Sequence, residues 1–179
     1  MAEQTFTSGQ ILTAAQMTTL QANTGLAYIK EQAVAASGSS FTVTGAFSTT
    51  YDNYKIVWTN IGGSSGSSAY MTIGGSAGST YNVGGRFIPF TGASGETQAT
   101  ASALGFWIGV AGTGFSGEID LFRPFTATAT NAVVMSSSST YTSMGAGYDS
   151  NAASSTAFTV TVPGTLTAGL VTVFGYRKS

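Results

Sequence analysis

The chain has 179 residues, of which 42% are hydrophobic and 12% aromatic but only 7% charged, with 6 basic against 7 acidic side chains and neither histidine nor cysteine. This balance excludes a disordered chain, which would be poor in aromatics and rich in charge, and leaves nothing to neutralise a row of phosphates or to hold an anionic membrane surface. Without cysteine and histidine there are no disulfides, no thiolate or imidazole metal ligands and no serine–histidine–acid triad.

In chain order, Met1-Ala2-Glu3-Gln4 lacks the basic start and apolar run of a signal peptide, and no later apolar run reaches the roughly 20 residues of a spanning helix. A soluble chain that is not exported is the expectation, with no membrane insertion and no nucleic-acid partner. Gln4 to Gln10 reads as an extended arm. Thr13-Ala14-Ala15-Gln16 then has the form of a capping box, with Thr13 as N-cap and Gln16 reaching back, and Leu12 and Met17 at the staple positions. The helix runs through Leu20 and Ala22 to Asn23 or Thr24, where Gly25 is placed to end it. A second short helical stretch is predicted from Leu26 to about Ala33.

From Phe41 onward the apolar period changes to two, and short runs are separated by clusters of glycine, serine and asparagine. Strands are predicted at about 40–46, 53–60, 69–74, 81–89, 101–110, 117–122, 132–137, 142–148, 157–162 and 169–176. The intervening Gly62–Ser68, Gly74–Thr80 and Gly92–Thr97 read as glycine-serine turns. So many short strands predict a mainly β fold, an antiparallel β-sandwich of jelly-roll type preceded by the arm and helix. The expected division is an attachment and oligomerisation segment over 1–36 and a β-sandwich over 37–179. Alternation places Tyr54, Ile56 and Trp58 on a buried face, and Ile119 and Leu121 on a buried face with Glu118, Asp120 and Phe122 opposite. Leu104 to Val110 has no polar face, so it is expected to be a central strand covered on both sides or a strand facing a partner subunit. The weakly charged surface points the same way, towards burial against copies of the chain or a neighbouring protein.

The chemistry-bearing patterns are thin. Gly62-Gly63-Ser64-Ser65-Gly66 fits the nucleophile-elbow spacing but has no base to activate Ser64, and Gly112-Thr113-Gly114-Phe115-Ser116-Gly117 fits a dinucleotide-loop spacing but opens no helix. Glu118 and Asp120 point the same way about 6–7 Å apart, a spacing that would suit a glycosidase pair, although a plain solvated face accounts for them as well. Asp52-Asn53 and Asp149-Ser150-Asn151 offer oxygen ligands for calcium, or simply Asx turns. The expectation is no catalytic, cofactor or metal residue. Among the aromatics, Tyr141 and Tyr148 are the candidates for ligand contact, because both lie beside polar loops.

Two stretches go further than periodicity. Phe6-Thr7-Ser8-Gly9-Gln10-Ile11-Leu12-Thr13-Ala14-Ala15-Gln16-Met17 resembles the F-T-x-G-x-x-L-T-A-A-x-M/V-N opening of tailed-bacteriophage tail-fibre and minor structural proteins, with Thr18 where asparagine often follows. Phe47-Ser48-Thr49-Thr50-Tyr51-Asp52-Asn53-Tyr54-Lys55-Ile56, together with the ending from Leu166 through Gly175-Tyr176-Arg177-Lys178, is similar to small phage virion proteins with an F-x-x-x-Y-x-N-Y-K/R-I strand and a G-Y-R/K close. The resemblance implies a non-enzymatic virion appendage made in the host cytoplasm. It implies a homotrimer, an N-terminal segment that docks on other virion proteins, and a β domain whose tip contacts host-surface glycans. In that account Leu12, Met17 and Leu20 are the assembly residues. A capsid decoration or head-fibre protein, a carbohydrate-binding module and a glycan-cleaving enzyme built on Glu118 and Asp120 are the rival readings.

Overall fold

A computed structural model describes residues 9, 11, 13–16, 25–74, 80–91, 95–97, 104–111 and 114–177. Among these it contains twelve strands: β1 (Leu26–Val34), β2 (Ser40–Val43), β3 (Asn53–Ile61), β4 (Ser67–Ile73), β5 (Tyr81–Pro89), β6 (Gly95–Thr97), β7 (Phe106–Ala111), β8 (Phe115–Phe122), β9 (Thr130–Ser138), β10 (Tyr141–Asp149), β11 (Phe158–Thr161) and β12 (Gly169–Tyr176). They form an eight-stranded sheet in the order β1-β12-β3-β8-β9-β10-β5-β6 and a four-stranded sheet in the order β2-β11-β4-β7. Every ladder is antiparallel. The fold is therefore an antiparallel β-sandwich.

The period-two alternation turns directly into burial. Tyr54, Ile56 and Trp58 of β3 and Ile119 and Leu121 of β8 are buried between the sheets, while Glu118, Asp120 and Phe122 face outward. The core continues through Met71 of β4, Phe106 of β7 and Phe158 of β11. Edge-to-face ring pairs lock it, Phe47 on Tyr54 at 4.8 Å, Trp58 on Phe115 at 5.9 Å and Tyr81 on Phe106 at 5.0 Å between centroids. The β3–β8 ladder slips between Trp58 and Ile61, where Asn60 takes a left-handed φ of 52° and its N–H donates to Ser116 Oγ at 2.9 Å.

Three expectations are corrected. Leu26 to Ala33 is not helical: it lies in β1, an edge strand paired with β12, and so belongs to the sheet although it precedes the expected boundary at 36/37. Hydrogen bonding to a ready-made edge outweighs the local helix propensity of this stretch, a choice that no local window contains. Gly95–Thr97, read as part of a turn, forms β6 beside β5. The apolar Leu104 to Val110 is not a central strand. Its regular part is β7, an edge strand of the small sheet, in which Phe106, Trp107 and Ile108 are all buried because β7 lies across β5, β9 and β10 of the large sheet.

Candidate functional site

The described part of the N-terminal segment has the local chemistry expected of it. The Thr13 backbone N–H donates to Gln16 Oε1 at 2.9 Å and the Gln16 N–H donates back to Thr13 Oγ1 at 3.2 Å, a reciprocal capping box that opens a helical turn at residues 14–16. Ile11, just ahead of it, is 89% exposed. The expected assembly residues Leu12, Met17 and Leu20 lie outside the described residues.

The other candidate surface is the outer face of the eight-stranded sheet, which the small sheet does not cover. On it β3 and β8 bring Lys55 opposite Asp120, and Lys55 Nζ lies 2.9 Å from Glu118 Oε1 and 3.3 Å from Asp120 Oδ1. Tyr176 of β12 donates its hydroxyl to the same Asp120 oxygen at 2.6 Å. Glu118 and Asp120 do share a face, with a lysine between them and a phenol donating to one, so the four side chains form a hydrogen-bonded ion cluster. Burial opposes the charge on Lys55, yet the Glu118 hydrogen bond and the Asp120 charge outweigh it and hold its pKa above that of an ordinary lysine. For Tyr176, burial and then the Asp120 hydrogen bond push the phenol up to about 12.

Both groups thus keep their protons more firmly in the folded chain than in the unfolded one. The stability they contribute is complete below the unfolded-state values, about 10 for each, and is lost as pH rises through the folded values, about 12 for Tyr176. Urea unfolding followed from about pH 9 to about pH 12 is expected to show stability falling over the upper part of that range. Tyr176→Phe should flatten the fall. An identical pH profile in wild type and Tyr176→Phe would remove the cluster from this role.

Next to the cluster the outer face becomes apolar. Val133 and Met135 of β9 and Met144 of β10 are exposed, and with Gly84 and Arg86 of β5 they border a shallow depression of about 470 Å³. Tyr148 of β10 lies on this outer face and is 44% exposed, whereas Tyr141 is on the opposite side of the same strand, half-buried, with its ring edge-on to Phe87 at 5.6 Å. The two tyrosines expected to contact a ligand therefore do not share one platform. Ser64 is spent structurally, its hydroxyl accepting the Thr165 N–H at 2.9 Å. Asp149 forms an Asx turn with the Asn151 N–H at 3.0 Å, and among the described residues no three or more acidic side chains gather to hold a metal ion.

Sequence reasoning missed two features here. Lys55 was on the correct face by alternation, but its seat between Glu118 and Asp120 depends on the β3–β8 register, which residues more than sixty positions apart set between them. The amides flanking Tyr148, Asn131 of β9 and Asn82 of β5, were missed for the same reason. Comparison with protein-family models, with curated proteins and with solved structures gives no match.

Proposed function

We propose that this chain is a non-enzymatic structural protein of a tailed-phage particle, a homotrimeric fibre-like appendage that attaches through its N-terminal segment and projects its β-sandwich. The observation that carries this reading is the capped helical start, formed by the Thr13–Gln16 pair within the phage-like opening, with Ile11 almost fully exposed ahead of it. A bare isoleucine beside a stabilised helix N-terminus suits a segment made to dock. The engagement of Glu118 and Asp120 with Lys55 favours a structural over a hydrolytic role for those carboxylates.

The finer fold assignment, a jelly roll, is supported by connectivity. Taking β1, β2, β3, β4, β7, β8, β11 and β12 in sequence, the chain places β1-β12-β3-β8 in one sheet and β2-β11-β4-β7 in the other, the double Greek-key order of a jelly roll. On this reading β5, β6, β9 and β10 are insertions that widen one sheet.

The test is the mass of the full-length chain in solution by light scattering, beside the triple variant Leu12→Ser, Met17→Ser, Leu20→Ser. A trimer that falls to monomer in the variant, with an unchanged β-type circular dichroism spectrum, is the expected result. A wild-type monomer, or a variant that still forms trimers, would overturn the role given to the helix. A capsid-decoration protein would use the same arm to grip the shell, and labelling of particles with an antibody to the β domain distinguishes head from tail.

A further inference from the structure

One row of the outer face has a composition unlike the rest. Across five adjacent strands the register sets Asn53 (β3) opposite Phe122 (β8), Phe122 opposite Asn131 (β9), Asn131 opposite Tyr148 (β10) and Tyr148 opposite Asn82 (β5). Amide and aromatic side chains alternate without a break. Phe122 is 37% and Tyr148 44% exposed, Asn131 is exposed, and Asn53 and Asn82 are half-buried. Among the described residues none hydrogen-bonds the side-chain amides of these three asparagines.

We propose that this row binds an uncharged oligosaccharide lying across the strands, with sugar rings stacked on Phe122 and Tyr148 and their hydroxyl edges held by Asn131, Asn82 and Asn53. The inference deepens the glycan-contact expectation attached to the appendage reading and rests on it. A pyranose has one face of C–H groups and a rim of hydroxyls. The face packs on the negative face of an aromatic ring, and each hydroxyl asks for a partner able to donate and accept, which an asparagine amide is. Neighbouring strands are about 4.8 Å apart, so the two rings lie about 10 Å from one another and the whole row spans about 19 Å. That length suits a short oligosaccharide, not a single sugar.

Propensity does not account for the row. Asparagine is depleted in strands, and a solvent-facing phenylalanine has no polar end to satisfy, so three of one and one of the other in register are not what sheet formation alone selects. All five residues are uncharged; Asp120, the acid on the same face of β8, is already held by Lys55 and Tyr176, and Asp149, next to Tyr148, is buried. The ligand is therefore neutral and its binding insensitive to salt.

The test uses full-length protein on a printed array of neutral and charged glycans, followed by calorimetric titration with the best neutral hit at low and high salt. Neutral oligosaccharides are expected to bind. Tyr148→Ala and Phe122→Ala should each weaken binding about tenfold or more, the loss expected of one stacked ring, Asn131→Ala several-fold, and the ring-preserving Tyr148→Trp little. No neutral glycan bound, preference for charged glycans, or affinity unchanged in both alanine variants would overturn the proposal. So would a change of oligomeric mass in Tyr148→Ala, because the face would then be covered by a second copy of the chain. Loss of trimers in the Leu12/Met17/Leu20 variant is read separately, so failure of the glycan site leaves the appendage reading standing, and the reverse.

Discussion

Trp107→Ala is expected to destabilise the fold by about 3–5 kcal/mol and to lower the Tm by roughly 10 °C. Trp107 sits on the edge strand β7, is only 7% exposed, and presses on the large sheet where that sheet has no side chains. A β-carbon built on Gly85 of β5 would overlap the Trp107 ring, and one on Gly145 of β10 would come within 3.5 Å of it. The two glycines form the floor on which the indole lies. Their strands belong to the part of the large sheet beyond β8, and β7 is the strand of the small sheet that packs across it. Removing the indole leaves a hole there that two glycines cannot fill by relaxing. Hydrogen exchange should report the loss locally, with β5 and β10 amides losing more protection than those of β1 and β12.

Trp107 also has a cost of its own. Its buried indole nitrogen has no hydrogen-bond partner among the described residues, and the same holds for Trp58. Trp107→Phe keeps most of the ring contact and discards that donor, so it should cost less than half of what Trp107→Ala costs. A loss below about 1 kcal/mol in the alanine variant, within the range of ordinary surface and mild core substitutions, would show that another contact holds the two sheets together here. Thermal unfolding of both variants by circular dichroism decides it.

How much of this could be read along the chain differs from element to element. The strands β5 and β12 coincide with the stretches expected from the sequence, because Val83 alternates with Asn82 and Gly84, and the apolar run of β12, in which Val171 and Val173 turn inward, is bounded by glycines. The faces of β3 and β8 were legible for the same reason. β1 was not: a bulge between Tyr28 and Lys30 breaks its period, and its pairing partner is the last strand of the chain. In Leu104 to Val110 the apolar pattern reported the burial of Phe106, Trp107 and Ile108, but could not say that Leu104 stays exposed or that two glycines of the large sheet make the floor under Trp107. The candidate binding row shows the limit most clearly. Phe122 and Tyr148 could each be assigned to an outer face from their own strands, yet their alternation with Asn131 and Asn82 exists only through ladder register, a property of paired strands and of no single one.

Tyr81→Phe is expected to cost about 1–3 kcal/mol although it deletes a single oxygen. The ring is fully buried and meets Phe106 edge-on at 5.0 Å, and phenylalanine keeps that contact. What disappears is the acceptor for the backbone N–H of Ile73, which donates to the Tyr81 hydroxyl at 2.7 Å. Ile73 ends β4 in the small sheet and Tyr81 opens β5 in the large one, so this hydrogen bond fastens the crossing between the sheets. Ile73 is itself buried, and its amide in the variant would be left without an acceptor in a place where water has little access. Tyr148→Phe is the matched control, since it removes the same oxygen from an exposed ring and should change stability by less than about 0.5 kcal/mol. Chemical unfolding of both variants measures the difference. Equal losses would mean that water replaces the Tyr81 hydroxyl at Ile73, and that this hydrogen bond does not fasten the crossing.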